Sequence, residues 1–195
     1  MQADEPDDPQ PCSGREGRRR APVPLDRARL EELALAYVAR FATSAGKLER
    51  YLTRKLRERG WSGEGEPPTA EIVARHIELG YIDDAAFARS KAGGLLRRGY
   101  GPRRVGQALG AAGIAEPLRR AVQPDAAERR QAAMRLARKR GFGPFGAAPG
   151  DRAVREKQIA AMLRAGHMLA EARAVIDAPD EIAAEQWACA AEDEN

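Results

Sequence analysis

The sequence predicts an all-α protein, an elongated tandem array of three three-helix units. Three observations carry that expectation. Ala, Leu, Arg and Glu dominate the middle of the chain, while Val, Ile and Thr are sparse and never alternate over a strand's length. Apolar residues recur every three or four positions, the spacing of one helix face. The spacing of Leu52, Leu56, Gly60 and Trp61 returns in Val105, Leu109, Gly113 and Ile114, and more loosely in Gln158, Met162, Gly166 and His167. With a repeat of roughly 55 residues, each unit buries a small apolar centre and is shielded by its neighbours.

The elements follow in order. A first helix runs from about Asp26 to Phe41 with Leu30, Leu33, Tyr37 and Phe41 on one face. Ser44 caps a second, to about Arg59, with Leu48, Leu52 and Leu56 in line and Gly60 as its left-handed stop. A third, Thr69–Leu79, buries Ile72, Val73 and Ile77. Asp83 or Asp84 caps a fourth, reaching about Arg98, with Phe87, Leu95 and Leu96 inward. Gly101-Pro102 opens a fifth, because Pro at the first helical position loses no useful N–H, and Gly113 stops it. A short sixth covers Ala115–Val122. Asp125 and Glu128 form a capping box for a seventh ending near Arg140. After the Gly141–Gly150 loop, Asp151 caps an eighth helix to Ala165, and a ninth spans Leu169–Ile176. The expected units are residues 25–80, 81–123 and 124–176.

Residues 1–24, with five prolines and no aromatic residue, read as a disordered leader whose Arg18-Arg19-Arg20 suits a phosphate backbone or plain solvation. Residues 177–195 read as an acidic C-terminal tail in which Ile182 and Trp187 allow a short docking helix. Of the chain's 33 basic and 29 acidic groups, residues 25–176 hold 29 and 17, a net of +12. A body of that sign attracts nucleic acid or an acidic protein surface. No apolar stretch approaches a membrane span, no secretory signal is visible, and the two cysteines, Cys12 and Cys189, lie in the tails. A reduced, cytoplasmic protein without a disulfide framework is expected.

Chemistry is nearly absent. His76 and His167 stand apart with no metal-ligand spacing; His76, at the end of its helix, reads as a surface or interface residue. Asp83-Asp84 lack the wider carboxylate set of a two-metal nuclease, and Gly141–Gly146 has no Lys-Ser/Thr to make a nucleotide-binding loop. Phe142 and Phe145 are expected to anchor that loop. No enzyme, metal or cofactor is expected. Binding surfaces stand out more. Lys47, Arg50, Arg54 and Arg57 form a basic stripe opposite the leucines of the second helix. Arg97-Arg98 and Arg103-Arg104 bracket a Gly-Tyr-Gly-Pro joint, placing four guanidinium groups near one helix junction, where phosphate oxygens or carboxylates are suitable partners. Asn and Gln are scarce on these faces, so phosphate contact is favoured over base reading.

The run Leu79-Gly80-Tyr81-Ile82-Asp83-Asp84-Ala85-Ala86-Phe87-Ala88-Arg89, followed by Arg97-Arg98-Gly99-Tyr100-Gly101-Pro102-Arg103-Arg104-Val105, resembles the centre of the RecX family. Ser44–Trp61 resembles that family's first-repeat middle helix, and the likeness covers roughly residues 30–176. It departs at Gly166-His167, where the family usually has Gly-Phe. The resemblance implies a monomeric bacterial regulator that binds the RecA recombinase filament and limits its assembly and activity, with single- or double-stranded DNA as a weaker partner. The rival reading is a helical nucleic-acid-binding protein, transcriptional or architectural, that does not act on recombinase.

Overall fold

The structure, a computed structural model, describes residues 23–146 and 151–190. Ten α-helices account for most of them: α1 (Arg27–Arg40), α2 (Ala45–Arg59), α3 (Thr69–Glu78), α4 (Asp84–Arg97), α5 (Pro102–Gly110), α6 (Glu116–Ala121), α7 (Ala126–Arg140), α8 (Arg152–Arg164), α9 (Leu169–Ile176) and α10 (Glu181–Cys189). The all-α fold is as the sequence predicts; the one β-type pairing among the described residues is an isolated bridge between Leu25 and Trp61. Apart from Val23 and Pro24, the leader lies outside the described residues, with Arg18–Arg20 and Cys12.

Three apolar clusters follow one another along the chain. The first joins α1, α2 and α3 through Leu30, Leu48, Leu52 and Ile72, with Leu25 before α1 and Ile82 after α3. The second gathers Leu95, Leu96, Val105, Leu109 and Ile114 from α4, α5 and the turn after it. The third holds Leu136, Met162, Val175 and Ile176, with Phe142, Phe145 and Trp187 packed on its edge. Each fully buried leucine contributes about 1.5–3 kcal/mol, so these small centres hold their helices only together with their neighbours. Ala132 of α7 belongs to the second cluster and Ala133 to the third, so α7 is the wall they share.

Three expectations need correcting. Ile77 is exposed and His76 is buried in its place, because α3 turns the face of Ile72, Val73 and His76 inward. Buried His76 meets the Ile72 carbonyl through Nδ1 at 2.8 Å, and its ring lies 5.9 Å from Tyr81. Phe41 is half exposed because it stands one residue past α1 in extended conformation, where the helical stripe no longer applies. Phe87 is only half buried, on the edge of the second cluster. Within the acidic segment after Ile176, Glu181–Cys189 form α10, which packs against α7, and residues 191–195 lie outside the described residues. Trp187 and the buried Ala184 and Ala188 face inward, whereas Ile182 stays exposed.

Candidate functional site

The stripe on α2 divides. Lys47 lies half buried with Nζ 5.0 Å from the centre of the Phe87 ring, and Arg50 donates from Nη2 to the Ala111 carbonyl at 2.8 Å. Both therefore sit where the first unit meets the second. Arg54 and Arg57 point to solvent; Arg54 is 3.6 Å from Glu58, and Arg57 has no ion-pair partner among the described residues.

The four arginines around the Gly-Tyr-Gly-Pro joint line different surfaces. Arg97 and Arg98, adjacent at the end of α4, diverge around α7. Arg97 lines a cleft with Glu128, Gln131 and Arg135. Arg98 lines another, of about 320 Å³, with Tyr100, Lys139, Arg140, Phe142 and Arg164. Arg103 and Arg104 are exposed in the first turn of α5, lining neither cleft. The second cleft is the stronger basic site. Its four cations are exposed, and none has an ion-pair partner among the described residues. Sequence reading missed Lys139, Arg140 and Arg164, but a signal existed: Arg98-Gly99, Arg140-Gly141 and Arg164-Ala165-Gly166 each place a cation at a helix end just before a glycine stop. There a positive charge also complements the helix dipole.

The candidate caps hold elements and units together. Asp83, Asp125 and Asp151 accept N–H bonds from Ala86, Glu128 and Val154 in the first turns of α4, α7 and α8. Ser44 occupies the cap position of α2 without capping it. Its hydroxyl donates to the Ala112 carbonyl at 2.6 Å, and the Ala45 N–H is taken by Asp84 of α4 at 2.9 Å. Thus Asp84 caps the helix of the preceding unit.

The first unit carries a groove of different character. An open groove of about 820 Å³ between α1 and α3 exposes Leu35, Leu79 and Tyr81 and carries Glu31, Glu32, Glu71 and Glu78 against Arg27 and Arg75. Arg27 holds Glu71 through two hydrogen bonds of 2.6 and 3.2 Å, which keeps the Glu71 carboxyl below its usual range. His167 is fully buried, its Nε2 2.9 Å from the Gly99 carbonyl and its Nδ1 without a partner. Burial lowers its pKa, against the opposing pull of the Gly99 bond and the Glu171 charge. Among the described residues no cluster of three or more His, Cys, Asp or Glu could hold a metal ion, and no helix is long and apolar enough to cross a membrane.

A family model described as RecX, second three-helix domain, matches residues 83–122. The regulatory protein RecX of Myxococcus xanthus is 34% identical over 157 residues, covering 76% of this chain and 84% of that protein. Its counterpart from Halorhodospira halophila is 33% identical over 132 residues, covering 68% and 79%. The crystal structure of RecX from Lactobacillus salivarius superposes with a TM-score of 0.60 at 19% identity over 77% of this chain and 94% of that one, a likeness of fold.

Proposed function

The chain belongs to the RecX family of regulatory proteins, and on that premise we propose that it restrains a RecA-type recombinase by binding the filament that the recombinase forms on DNA. One observation supports this reading above the others: the molecule carries two surfaces of opposite character, one between α1 and α3 and one where α4, α7 and α8 meet. The α1–α3 groove joins exposed apolar side chains to carboxylates, which suit a protein surface and repel phosphate. The cleft of Arg98, Lys139, Arg140 and Arg164 offers four cations without carboxylate partners, which suit phosphate. A ligand made of protein and DNA together meets both demands; free DNA meets one. The units 25–80, 81–123 and 124–176 then act as successive contact modules, and inhibition arises from occupancy, with no covalent step. The setting is the cytoplasm, and the acting species is a monomer.

Replacing Arg98, Arg140 and Arg164 together with Gln tests the division. DNA affinity measured over a salt series should fall, with the slope of log K against log salt reduced by about 0.7–0.9 for each phosphate that is no longer neutralised. Capture of recombinase without DNA should persist, and strand exchange should be inhibited less than by the unaltered chain. If the unaltered chain leaves both strand exchange and recombinase ATP turnover unchanged, the filament reading fails and the nucleic-acid-binding rival takes its place.

A further inference from the structure

The end of α1 and the middle of α2 bring three aromatic rings together beside two guanidinium groups. Tyr37 and Tyr51 stack with centroids 4.3 Å apart and planes 19° from parallel, and Phe41 continues the row 5.4 Å from Tyr37, tilted by 52°. An open cleft of about 380 Å³ runs over them, lined by Ala36, Tyr37, Arg40, Phe41, Tyr51 and Arg54. Arg40 lies 5.9 Å from the centre of the Phe41 ring, and Arg54 lies 5.6 Å from that of Tyr51. Among the described residues no carboxylate lines the cleft. Arg40 has no ion-pair partner among the described residues, and Arg54 pairs with Glu58 at 3.6 Å, one turn further along α2 and outside the cleft. Phe41 leaves 54% of its surface to solvent, with its inner edge held by Tyr37.

A ligand for this cleft must bring a flat ring for Phe41 and negative charge for the two arginines. A duplex brings the charge but keeps its bases paired inside, and an acidic peptide brings charge without an obligatory ring. A single strand brings both, because every unpaired base has a π-face with phosphates on either side. We propose that this cleft is a stacking site for an unpaired base of single-stranded DNA, with Phe41 carrying the base and Arg40 and Arg54 meeting the flanking phosphates. The proposal rests on the DNA-contacting half of the function proposed above and adds to it a preference for single strands. The tyrosine pair beneath holds Phe41 in place. A protein ligand is disfavoured because both charged groups lining the cleft have the same sign and, among the described residues, no carboxylate lines it.

The test uses the full chain at fixed salt with three ligands: an oligothymidylate, an abasic strand of the same length, and a duplex. Phe41→Leu keeps apolar bulk but removes the π-face. It should weaken oligothymidylate binding roughly 5- to 100-fold, the loss of one base stack, while leaving the abasic strand and the duplex unchanged. Phe41→Trp should restore or tighten oligothymidylate binding, and Arg40→Gln with Arg54→Gln should weaken the oligothymidylate and the abasic strand alike. Thermal unfolding is followed in parallel. Should Phe41→Leu melt early, Phe41→Trp carries the comparison: a larger ring at this half-exposed position should tighten the oligothymidylate and leave the abasic strand unchanged. Equal losses on all three ligands, or none on oligothymidylate, overturn the stacking site while leaving the DNA contact standing. Failure to capture recombinase with DNA affinity intact makes the patch a protein contact and also overturns it. If the unaltered chain binds none of the three ligands, the DNA half of the proposed function falls and this site with it.

Discussion

The two junctions between successive units solve the same problem with different atoms. At each, the start of one unit's middle helix meets the end of the next unit's middle helix. At the first, α2 begins against the turn after α5: a Cβ on Gly46 would stand 2.9 Å from the Gly113 Cα, and one on Gly113 would stand 2.9 Å from the Gly46 Cα. At the second, α5 begins against the turn after α8, where a Cβ on Gly101 would stand 2.4 Å from the Gly166 carbonyl carbon. The first junction is tied by side chains, through Ser44 to Ala112, Arg50 to Ala111 and Asp84 to Ala45. The second is tied by backbone, Gly101 N–H to the Ala165 carbonyl at 3.0 Å and Arg103 N–H to the Gly166 carbonyl at 3.2 Å, with buried His167 adding its bond to Gly99. Close approach permits either solution. The side-chain junction can be weakened one bond at a time, whereas the backbone junction yields only to a change that forces the chains apart.

Gly166→Ala should separate the two most sharply. Gly166 has φ +97°, and a Cβ there would lie 2.5 Å from the Arg104 amide nitrogen, so strain and collision act together. A loss of about 2–5 kcal/mol is expected in denaturant unfolding, with the third unit's exchange protection falling more than the first's. If Gly166→Ala melts like the unaltered chain, the second junction is looser than its bonds indicate. Asp84→Ala should come next, at about 1–2 kcal/mol, because it removes a cap that α2 has no residue of its own to replace. Hydrogen exchange at Ala45 reports it: faster exchange there with α4 unaffected is expected, and faster exchange in the first turn of α4 would mean that Asp84 serves its own helix. The smallest effect is pH dependence at the second junction alone. Burial lowers the His167 pKa in the folded chain, so the unfolded chain takes up its proton first as pH falls through the ordinary histidine value of about 6.5. Stability from this group is complete above that value and declines below it, by at most about 1.4 kcal/mol per pH unit, until the folded-state pKa is passed. In a His167→Gln chain that acid-side decline should vanish from thermal melts taken across the range; its persistence would place the titrating group elsewhere.

Legibility in the sequence varied with the range of the interaction. The bounds of α2, α7 and α9 agree with the sequence to within a residue because capping acids, glycine stops and a three-to-four-residue apolar period are local signals. Gln158, the polar residue in the third copy of the repeat, takes a purpose only from the fold: its Oε1 accepts the Gly143 N–H at 3.0 Å and pins the 3-10 turn Gly143–Phe145. The basic cleft escaped notice because its cations come from α4, α7 and α8, and no spacing along one helix shows that Arg98 and Arg164 face each other. Ser44 and Asp84 misled for the same reason. Each is a good cap by type, and the partner that decided its role comes from the other unit, 68 and 39 residues away.

By itself, the sequence determined the helical class, the order of the first nine helices, the repeated apolar spacing and the excess of positive charge. All of these depend on neighbours within a turn or two, where propensity, capping and periodicity act. Only the tertiary structure decided which charges remain free to bind. It tied the exposed Arg50 to the Ala111 carbonyl, split Arg97 from Arg98 around α7, drew Arg138 into ion pairs with Glu181 and Glu185 of α10, and left Arg40, Arg140 and Arg164 open. The physical reason is that a side chain's local preference is weak beside what packing brings against it, and that partner lies tens of residues away in the chain.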